Sequence, residues 1–405
     1  MKRGHLSDYF EGVAVKRLSA VEADTSRSNQ HEYNGVDRLK SILGENQPVK
    51  FPTRFVWLGD EQEAVTEDGI LTWYDSRAKH PTRSEYRLYF PTTAVSELAR
   101  AGDPIFFAKR TDGTVMVIIT PAESTMQNQL MWLFGIEDQP TLRLDTKPLE
   151  GDGSAELDFA ARFILDELGI EQVEPEADRL DELLAKFGMR FPTTREFSQF
   201  ARDTLPEVNP KDGADAVLMA WIEREEMLFR RLERHLVAER LQSGFMAGKD
   251  ADVDGFLAFS LSVQNRRKSR AGQSLENHLE QIFAARGLQF ARGVETENRN
   301  KPDFLFPGPA PYKDPAFPAE RLTMLGAKST CKDRWRQVLS EAARIPDKHL
   351  LTLEPGISEN QTDEMRSKSL QLVLPQAIHA TYRPAQQAWL MNVDAFIGVV
   401  TARQG

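Results

Sequence analysis

Short apolar runs separated by turn residues fill the first third of the chain. Up to about residue 145 these runs are rich in aromatic and β-branched residues, and Gly, Pro, Asn and Asp divide them. The runs are FVWLG, ILTWY, YRLYFP, PIFFAKR, VMVIITP and LMWLFGI. Because short runs of this composition are typical of strands, the pattern predicts a mostly β barrel or sandwich.

A change of pattern near residue 172 indicates a domain boundary. The stretch LDFAARFILDELGI has helical spacing, and the next stretch, EQVEPEADRLDE, is polar, acidic and interrupted by Pro175. A polar, proline-containing segment of this kind is typical of a linker. We therefore predict a β-rich domain over residues 1–172, a hinge over 173–184 and a second domain over 185–405.

The second domain contains helical and strand-like segments in alternation. Apolar residues recur at helical spacing in AVLMAWIEREEMLFRRLERHLV and SLENHLEQIFAARGL. Farther along, the strand-like runs are FLF, LTMLGAK, HLLTL and LQLVL, and the helical ones are WRQVLSEAARI, NQTDEMRSKS and AQQAWLMNVDAFIGVV. This alternation predicts an α/β layer in which helices flank a mixed sheet.

Composition narrows the class of protein. The chain has 405 residues, of which 40% are hydrophobic, and this is about twice the usual length of one domain. The single cysteine, Cys331, excludes an internal disulfide, which suits a reducing cytoplasm. The first residues, MKRGHLSDYF, do not resemble a signal peptide, and no stretch approaches the roughly 20 apolar residues of a membrane span. We expect a cytoplasmic protein without a membrane partner.

The charge distribution leaves nucleic acid as a partner. A net charge of −10 alone argues against phosphate binding, which needs clustered Lys and Arg. The acidic residues are concentrated around the predicted boundary, whereas RRKSR and KDRWR form compact basic patches elsewhere. An acidic chain can therefore still contain a basic cleft.

The strongest chemical candidates are Asp303 and Lys328. Asp303 precedes the run FLF, and Lys328 ends the run LTMLGAK 25 residues later. Phosphodiester hydrolysis uses carboxylates to hold a divalent metal such as Mg²⁺, often with a lysine near the attacking water. The usual companion is an acid two residues before the lysine, but Gly326 occupies that position.

Glu341 is the candidate replacement for this missing acid. It lies 13 residues after Lys328, or about three and a half turns along the predicted helix. Arg334, Gln337 and Glu341 share a polar face of that helix, opposite an apolar face. An ordinary amphipathic helix gives the same pattern, so spacing alone does not decide between the two.

The segment before this helix could read DNA bases. Lys332 and Arg334 offer cationic donors that suit guanine, and the Asp333 carboxylate can accept from cytosine amines. An alternative is local: Thr330 and Asp333 have the spacing of a helix capping pair.

A second basic group could contact the DNA backbone. The candidates are Arg266, Arg267, Lys268, Arg270 and Arg336. The first four precede a predicted helix that carries Glu276, and a solvated basic loop is the alternative interpretation. Glu276 could assist the metal site or could favour the helix dipole as a first-turn acid.

Three segments closely resemble the catalytic domain of the EcoRII restriction endonucleases. They are SVQNRRKSRAGQSLENHLEQIF, NKPDFLFP and MLGAKSTCKDRWRQVLSEA. The resemblance implies a nuclease core whose acidic ligand has moved from beside the lysine to the following helix. Asp303 and Glu341 would then hold Mg²⁺, and Lys328 would serve the attacking water.

The resemblance assigns further residues around this site. Tyr312 and Glu276 would lie beside it, and Lys332, Asp333 and Arg334 would face the CC and GG halves of a CCWGG-like sequence. Members of the family resemble one another as homodimers, formed through the catalytic domain, that cut before the first C and flip the central bases. A DNA methyltransferase of the same system would accompany the enzyme without contacting it.

The first domain would correspond to the family's effector domain, a β pseudobarrel that binds a further copy of the site. Binding there would relieve autoinhibition of the catalytic dimer. The candidate DNA contacts are Lys16, Arg17, Arg77, Arg83 and Arg87. A barrel with ordinary surface charges is the alternative.

Two other functions remain open from the sequence. One is a DNA-binding regulator that keeps the fold without catalysis, against which the intact Asp303, Lys328 and Glu341 set argues. The other is a repair nuclease that recognises DNA structure rather than sequence, against which the base-reading candidates argue.

Overall fold

The computed structural model contains two compact units. It describes residues 5–24, 31–34, 36–45, 48–80, 82–149, 157–171, 180–247, 250–331 and 334–405. Unit 1 comprises residues 1–173, 355–359 and 380–383, and unit 2 comprises 174–354, 360–379 and 384–405. Of the predicted hinge, residues 173–179 lie outside the described ranges, and residues 180–184 begin a helix.

Unit 1 is built on one curled sheet. Its strands are β1 (Phe10–Arg17), β2 (Glu32–Tyr33), β3 (Val49–Trp57), β4 (Val65–Asp75), β5 (Tyr86–Tyr89), β6 (Pro104–Arg110), β7 (Val115–Ile119) and β8 (Asp145–Pro148). Their order is β2-β5-β4-β3-β7-β6-β1-β8, and β3 with β7 is the parallel pair among the described strands. The mostly β prediction is confirmed.

Both faces of this sheet are buried, because apolar side chains alternate between two cores. Along β6, Phe106 and Ala108 join one cluster, while Ile105 and Phe107 join the other. The helices of unit 1 are α1 (Ala20–Ala23), α2 (Lys40–Leu43), α3 (Ala94–Leu98), α4 (Thr125–Phe134) and α5 (Phe159–Glu167).

Helix α4 corrects one sequence prediction. The run LMWLFGI was expected to be a strand, but it lies at the end of this helix and beyond. The Ser124 hydroxyl caps the helix by accepting from the Gln127 amide at 3.0 Å, and Gly135 ends it in the left-handed region at φ 61°. A short apolar run fits a buried helix as well as a buried strand.

Long helices open unit 2. They are α6 (Leu180–Phe187), α7 (Thr194–Asp203), α8 (Ala214–Gln242) and α9 (Val253–Ala285), with a small hairpin of β9 (Met246–Ala247) and β10 (Asp250–Ala251) between the last two. The basic run NRRKSR therefore lies inside α9 rather than in a loop before a helix, which corrects that expectation. Uninterrupted helix formers on both sides carry the helix through the run.

The remainder of unit 2 forms a mixed sheet flanked by helices, as predicted. Its strands are β11 (Ala291–Arg292), β12 (Phe304–Phe306), β13 (Thr323–Lys328), β14 (Lys348–Thr352) and β15 (Leu370–Val373) in that order. The first three are antiparallel, and β13, β14 and β15 are parallel. The later helices are α10 (Pro309–Lys313), α11 (Trp335–Val338), α12 (Glu359–Ser367), α13 (Pro384–Gln387) and α14 (Val393–Gln404).

Short 3-10 turns complete the described structure, at Leu6–Asp8, Asp37–Leu39, Glu297–Arg299, Ala319–Arg321 and Gln376–Thr381. Within the described ranges, no helix combines the length and the apolar character that a bilayer-spanning segment needs.

Candidate active site

Asp303 and Lys328 form an ion pair at the junction of β12 and β13. These strands are antiparallel with Phe304 opposite Leu325, which brings Asp303 alongside the end of β13. Asp303 Oδ2 accepts from Lys328 Nζ at 2.7 Å and from the Ala327 amide at 2.7 Å. The side chains are 15% and 21% exposed, so the pair is fixed in position and still open to solvent.

Gly326 explains why the usual acid is absent beside the lysine. A Cβ atom at this position would lie 3.0 Å from Val338 Cγ2 and 3.6 Å from Leu350 Cδ1. Helix α11, which carries Val338, therefore packs directly on the bare backbone of β13. An acidic side chain at residue 326 would displace this helix.

Glu341 does not lie on a helix, which corrects the sequence prediction. Helix α11 ends at Val338, and Ala342 takes φ 47° in the turn that follows. The buried ammonium of Lys348 donates to the carbonyls of Glu341 at 2.7 Å, Ala342 at 3.1 Å and Ile345 at 2.7 Å. These bonds replace the helical ones that the turn gives up.

The proposed polar face of Arg334, Gln337 and Glu341 is consequently wrong. Arg334 and Gln337 are exposed, whereas Glu341 is only 8% exposed. The apolar side of the pattern was correct in that Trp335, Val338 and Ala342 are buried.

The environment of Glu341 favours the neutral carboxyl when no cation is near. Burial raises the pKa of Glu341 to about 7; the Lys328 ammonium opposes this shift and the Asp303 carboxylate adds to it. One of its carboxylate oxygens, Oε2, is buried and accepts no hydrogen bond from the part of the chain that the structure describes. Glu341 thus belongs to the same electrostatic centre as Asp303 and Lys328.

This donor set fits a hard divalent cation. Two carboxylates, one with an unsatisfied buried oxygen, suit Mg²⁺, which takes one or two protein carboxylates and fills its remaining positions with water and phosphate oxygens. Among the described residues, no group of three or more His, Cys, Asp or Glu side chains is arranged to hold a metal. The protein would therefore supply only part of the coordination shell.

Glu276 lies within electrostatic range of the same centre. It is on α9, where it accepts from Arg292 Nε at 3.0 Å and from the other guanidinium nitrogen at 2.8 Å. Burial raises the pKa of Glu276, the Asp303 charge raises it further, and Arg292 and Lys328 oppose the shift. Since α9 continues well before this residue, Glu276 is not a first-turn acid.

Tyr312 packs against the turn that carries Glu341. Its hydroxyl donates to Glu297 at 2.6 Å, and the Arg344 amide donates to the hydroxyl at 3.4 Å. Burial and the Glu297 bond raise the pKa of Tyr312 to about 12. The contacts therefore join Tyr312 to residues 297 and 344 rather than to the Asp303–Lys328 pair.

Only one of the base-reading candidates is described. Lys332 and Asp333 lie outside the described residues, so neither base reading nor the capping alternative is addressed at those positions. Arg334 is exposed, and its guanidinium donates to the Thr330 carbonyl at 3.3 Å. The backbone candidate Arg336 pairs with Glu364 at 2.6 Å.

The basic run on α9 divides into exposed and buried residues. Lys268 is exposed, Arg266 lies 3.9 Å above the Phe191 ring, and Arg267 pairs with Glu233 at 2.6 Å.

Arg270 does not suit the predicted role of a phosphate contact. Its guanidinium is buried between Glu225, at 3.0 Å, and Glu226. A guanidinium that neutralises two acids of α8 is not available to DNA. The sequence run gave no sign of this, because the acids lie about 45 residues earlier.

The candidates in unit 1 differ in the same way. Lys16 is buried against Glu22 at 2.6 Å, so it is not a surface contact and that prediction is corrected. Arg17 donates to the carbonyls of Pro140 and Gly102, both at 2.8 Å. These bonds hold its guanidinium against the backbone of its own unit.

The remaining candidates of unit 1 lie nearer solvent. Arg77 and Arg87 pair with Glu85 at 2.6 Å and 2.9 Å, while Arg83 is exposed.

Sequence reasoning missed Lys348 and Arg292, which position Glu341 and Glu276. Lys348 directly precedes the apolar run HLLTL, and a cation at the start of a buried strand is the signal that could have indicated its role. For Arg292 we find no sequence signal, since its acidic partners lie on a different element.

Comparisons with known proteins identify the class of this unit. Residues 229–397 match the family model described as EcoRII C terminal. The chain is 44% identical over 214 residues to the type II restriction enzyme EcoRII of Escherichia coli, a match that covers 53% of this chain and 51% of that protein. The chain thus spans about half the length of the curated relative it matches.

Solved structures of DNA complexes are also similar. Metal-depleted Ecl18kI in complex with uncleaved DNA matches with a TM-score of 0.44 and 18% identity, over 56% of this chain and 84% of that one. The restriction endonuclease PspGI–substrate DNA complex matches with a TM-score of 0.42 and 12% identity, over 53% and 93%.

The C-terminal part of the chain is an EcoRII-type restriction endonuclease domain. The family recognised from the sequence is therefore confirmed.

Proposed function

We propose that the protein is a type II site-specific deoxyribonuclease that hydrolyses double-stranded DNA with Mg²⁺. The observation that carries the proposal is the Asp303–Lys328 ion pair at 2.7 Å, with the buried Glu341 carboxyl in the same electrostatic centre. The match of residues 229–397 to the EcoRII family supports the same conclusion. We retain a CCWGG-like sequence as the proposed site.

Each side chain has a separate task in this proposal. Asp303 and Glu341 would hold Mg²⁺, which when bound offsets the charge that develops on the scissile phosphate. Lys328 Nζ, fixed by Asp303, would orient the attacking water. The water oxygen bonds to phosphorus, the bond to the 3′ oxygen breaks, and that oxygen takes a proton, which leaves a 5′-phosphate.

Glu276 and Tyr312 act through position rather than by contact with the reacting atoms. Glu276 adds negative charge near Asp303, and Tyr312 supports the turn after α11. We propose that Lys332, Asp333 and Arg334 read the bases and that Arg266, Arg267, Lys268 and Arg336 contact phosphates. Base flipping and assembly as a homodimer belong to the same proposal.

The N-terminal residues, 1–172, are proposed to bind a further copy of the site as an effector. Arg77, Arg83 and Arg87 remain the candidate contacts, because they lie near the surface. Residues 173–184 would serve as the hinge to the catalytic part, 185–405.

The proposal is tested by incubating the purified full chain with Mg²⁺ and a sequenced plasmid that carries several CCWGG sites. We expect discrete fragments whose ends carry 5′-phosphates and a 5′ overhang before the first C. Ends without a common sequence would favour a structure-directed nuclease. Retarded but uncut DNA with every divalent metal tested would favour the catalytically inactive regulator.

A further inference from the structure

The N-terminal part of α9 has a bare face with a regular pattern. Asp254, Leu257, Leu261, Gln264 and Lys268 are spaced by three, four, three and four residues, so they line one side of the helix. All five side chains are exposed. Leu257 is 52% and Leu261 59% exposed, although leucine is a residue that folding normally buries.

Neighbouring apolar residues extend this exposed region. Leu241 at the end of α8, Met246 in the hairpin, and Val253 and Phe256 on α9 are exposed as well. Phe245 contacts Phe256 and Phe259 with ring centroids 5.4 Å and 5.5 Å apart. The inner side of the helix is thus fixed to the hairpin, while the outer side presents a patch that is unusual for a free surface.

The charges on this face match a second copy of the same face. Asp254 and Lys268 each lie seven residues from Leu261, on opposite sides, or about 10 Å along the helix axis. If two α9 helices pack antiparallel about a two-fold axis at Leu261, Asp254 of each faces Lys268 of the other. A parallel arrangement would place like charges together.

We propose that the face defined by Asp254, Leu257, Leu261, Gln264 and Lys268 binds the same face of a second copy of this chain. Leu261 packs on its own counterpart, and Leu257 packs on the apolar stems around it. This inference rests on the proposed function in one respect, since a chain with one Asp303–Lys328–Glu341 site needs a partner to cut both strands. The fit of apolar and charged positions is independent of that argument.

The first test measures the oligomeric state of the full chain without DNA by sedimentation equilibrium. We expect a dimer for the native chain and a dimer dissociation constant about 100-fold higher or more for Leu261→Asp, because two buried charges oppose each other at the two-fold axis. Leu142→Asp in unit 1 is the matched control, since Leu142 is 66% exposed and lies outside α9. It should leave the dimer unchanged.

The second test exchanges the charges. Asp254→Lys and Lys268→Asp should each weaken the dimer about 10-fold, because symmetry doubles the effect of each surface ion pair, and the double variant should recover most of the loss. Phosphate binding by Lys268 would not be restored by a change at Asp254. Circular dichroism of each variant checks that the exposed substitutions leave the helices intact.

The inference is overturned by a native chain that is monomeric at tens of micromolar, or by a dimer that Leu261→Asp does not weaken. Unchanged sedimentation together with weaker DNA binding would instead assign this face to DNA. Plasmid cleavage separates the two proposals: a native chain that cuts both strands while Leu261→Asp stays dimeric rejects only the α9 contact. A Leu261-dependent dimer that cuts no DNA rejects only the nuclease.

Discussion

At the scale of single residues, Lys348 holds the turn that carries Glu341. Its ammonium is buried and donates to three carbonyls of residues 341–345, and the Asn300 amide donates to the Ser340 carbonyl at 2.8 Å in the same turn. A carboxyl with a pKa near 7 needs such fixed surroundings, because its ionised form is unfavourable until a cation binds.

Replacement of Lys348 by Met should therefore destabilise the protein by about 3 kcal/mol, since it leaves buried carbonyls without a donor. Cleavage should also weaken, because Glu341 loses its support. Urea unfolding measures the first effect, and Lys368→Met, at an exposed lysine, is the control. A loss no larger than that of the control would show that Lys348 does not maintain the turn.

His349 should make the folded state sensitive to acid. Burial lowers the pKa of His349 to about 4, helped by Arg403 and opposed by Asp347 and a bond to the Met324 backbone. Because the folded-state pKa lies below the ordinary value of about 6.5, the unfolded chain takes up the proton first and stability falls as the pH drops from about 6.5 to 4.

His349→Leu should remove this part of the pH dependence. Between pH 7 and pH 4 the free energy of unfolding of the native chain should fall by about 3 kcal/mol more than that of the variant. Unfolding curves at the two pH values give the difference, with His80→Leu at an exposed histidine as the control. Parallel losses in native and variant protein would contradict the assignment.

At the scale of elements, the close packing of α11 on β13 fixes where the acids can be. Gly326→Ala should cost about 1–3 kcal/mol, because the added methyl meets Val338 at 3.0 Å. Val338→Ala makes room for it, so the double variant should lose less stability than the two single changes summed. Additive losses in urea unfolding would show that the two residues do not compete for this space.

The sequence predicted elements whose periodicity was strong and missed those that tertiary contacts decide. Strands β12 to β15 and helix α8 were predicted from their patterns, and the Asp303–Lys328 pair lies where adjacent strand ends bring it. The early end of α11 follows from Lys348 and Asn300, which bond to backbone that a helix would have satisfied itself. No local pattern contains that information.

Charged residues show the same limit. Lys16 and Arg270 look like surface cations in the sequence, but each neutralises a carboxylate that the fold buries beside it. Arg83 and Lys268 are exposed, and they have the same residue types in similar contexts. Composition gives the charge, whereas only the packing of α9 against α8, or β1 against its neighbours, gives the partner.

At the scale of the whole molecule, the proposed effector role predicts activation by added DNA. The full chain should cut a single-site plasmid slowly, and a short duplex carrying the site should accelerate it, because the duplex occupies the N-terminal unit. Arg83→Glu should weaken this acceleration without slowing cleavage of multi-site plasmid at saturating duplex. A scrambled duplex is the control, and equal rates with and without the cognate duplex would leave no effector function.

The central claim is that Asp303, Lys328 and Glu341 form the hydrolytic centre. Its most direct test compares Mg²⁺-dependent plasmid cleavage by the native chain, Lys328→Ala and the control Lys368→Ala, with DNA binding measured in parallel. We predict that Lys328→Ala retains binding and lowers the cleavage rate about 1,000-fold or more, while the control cuts at the native rate. Cleavage by Lys328→Ala at the native rate would contradict the account.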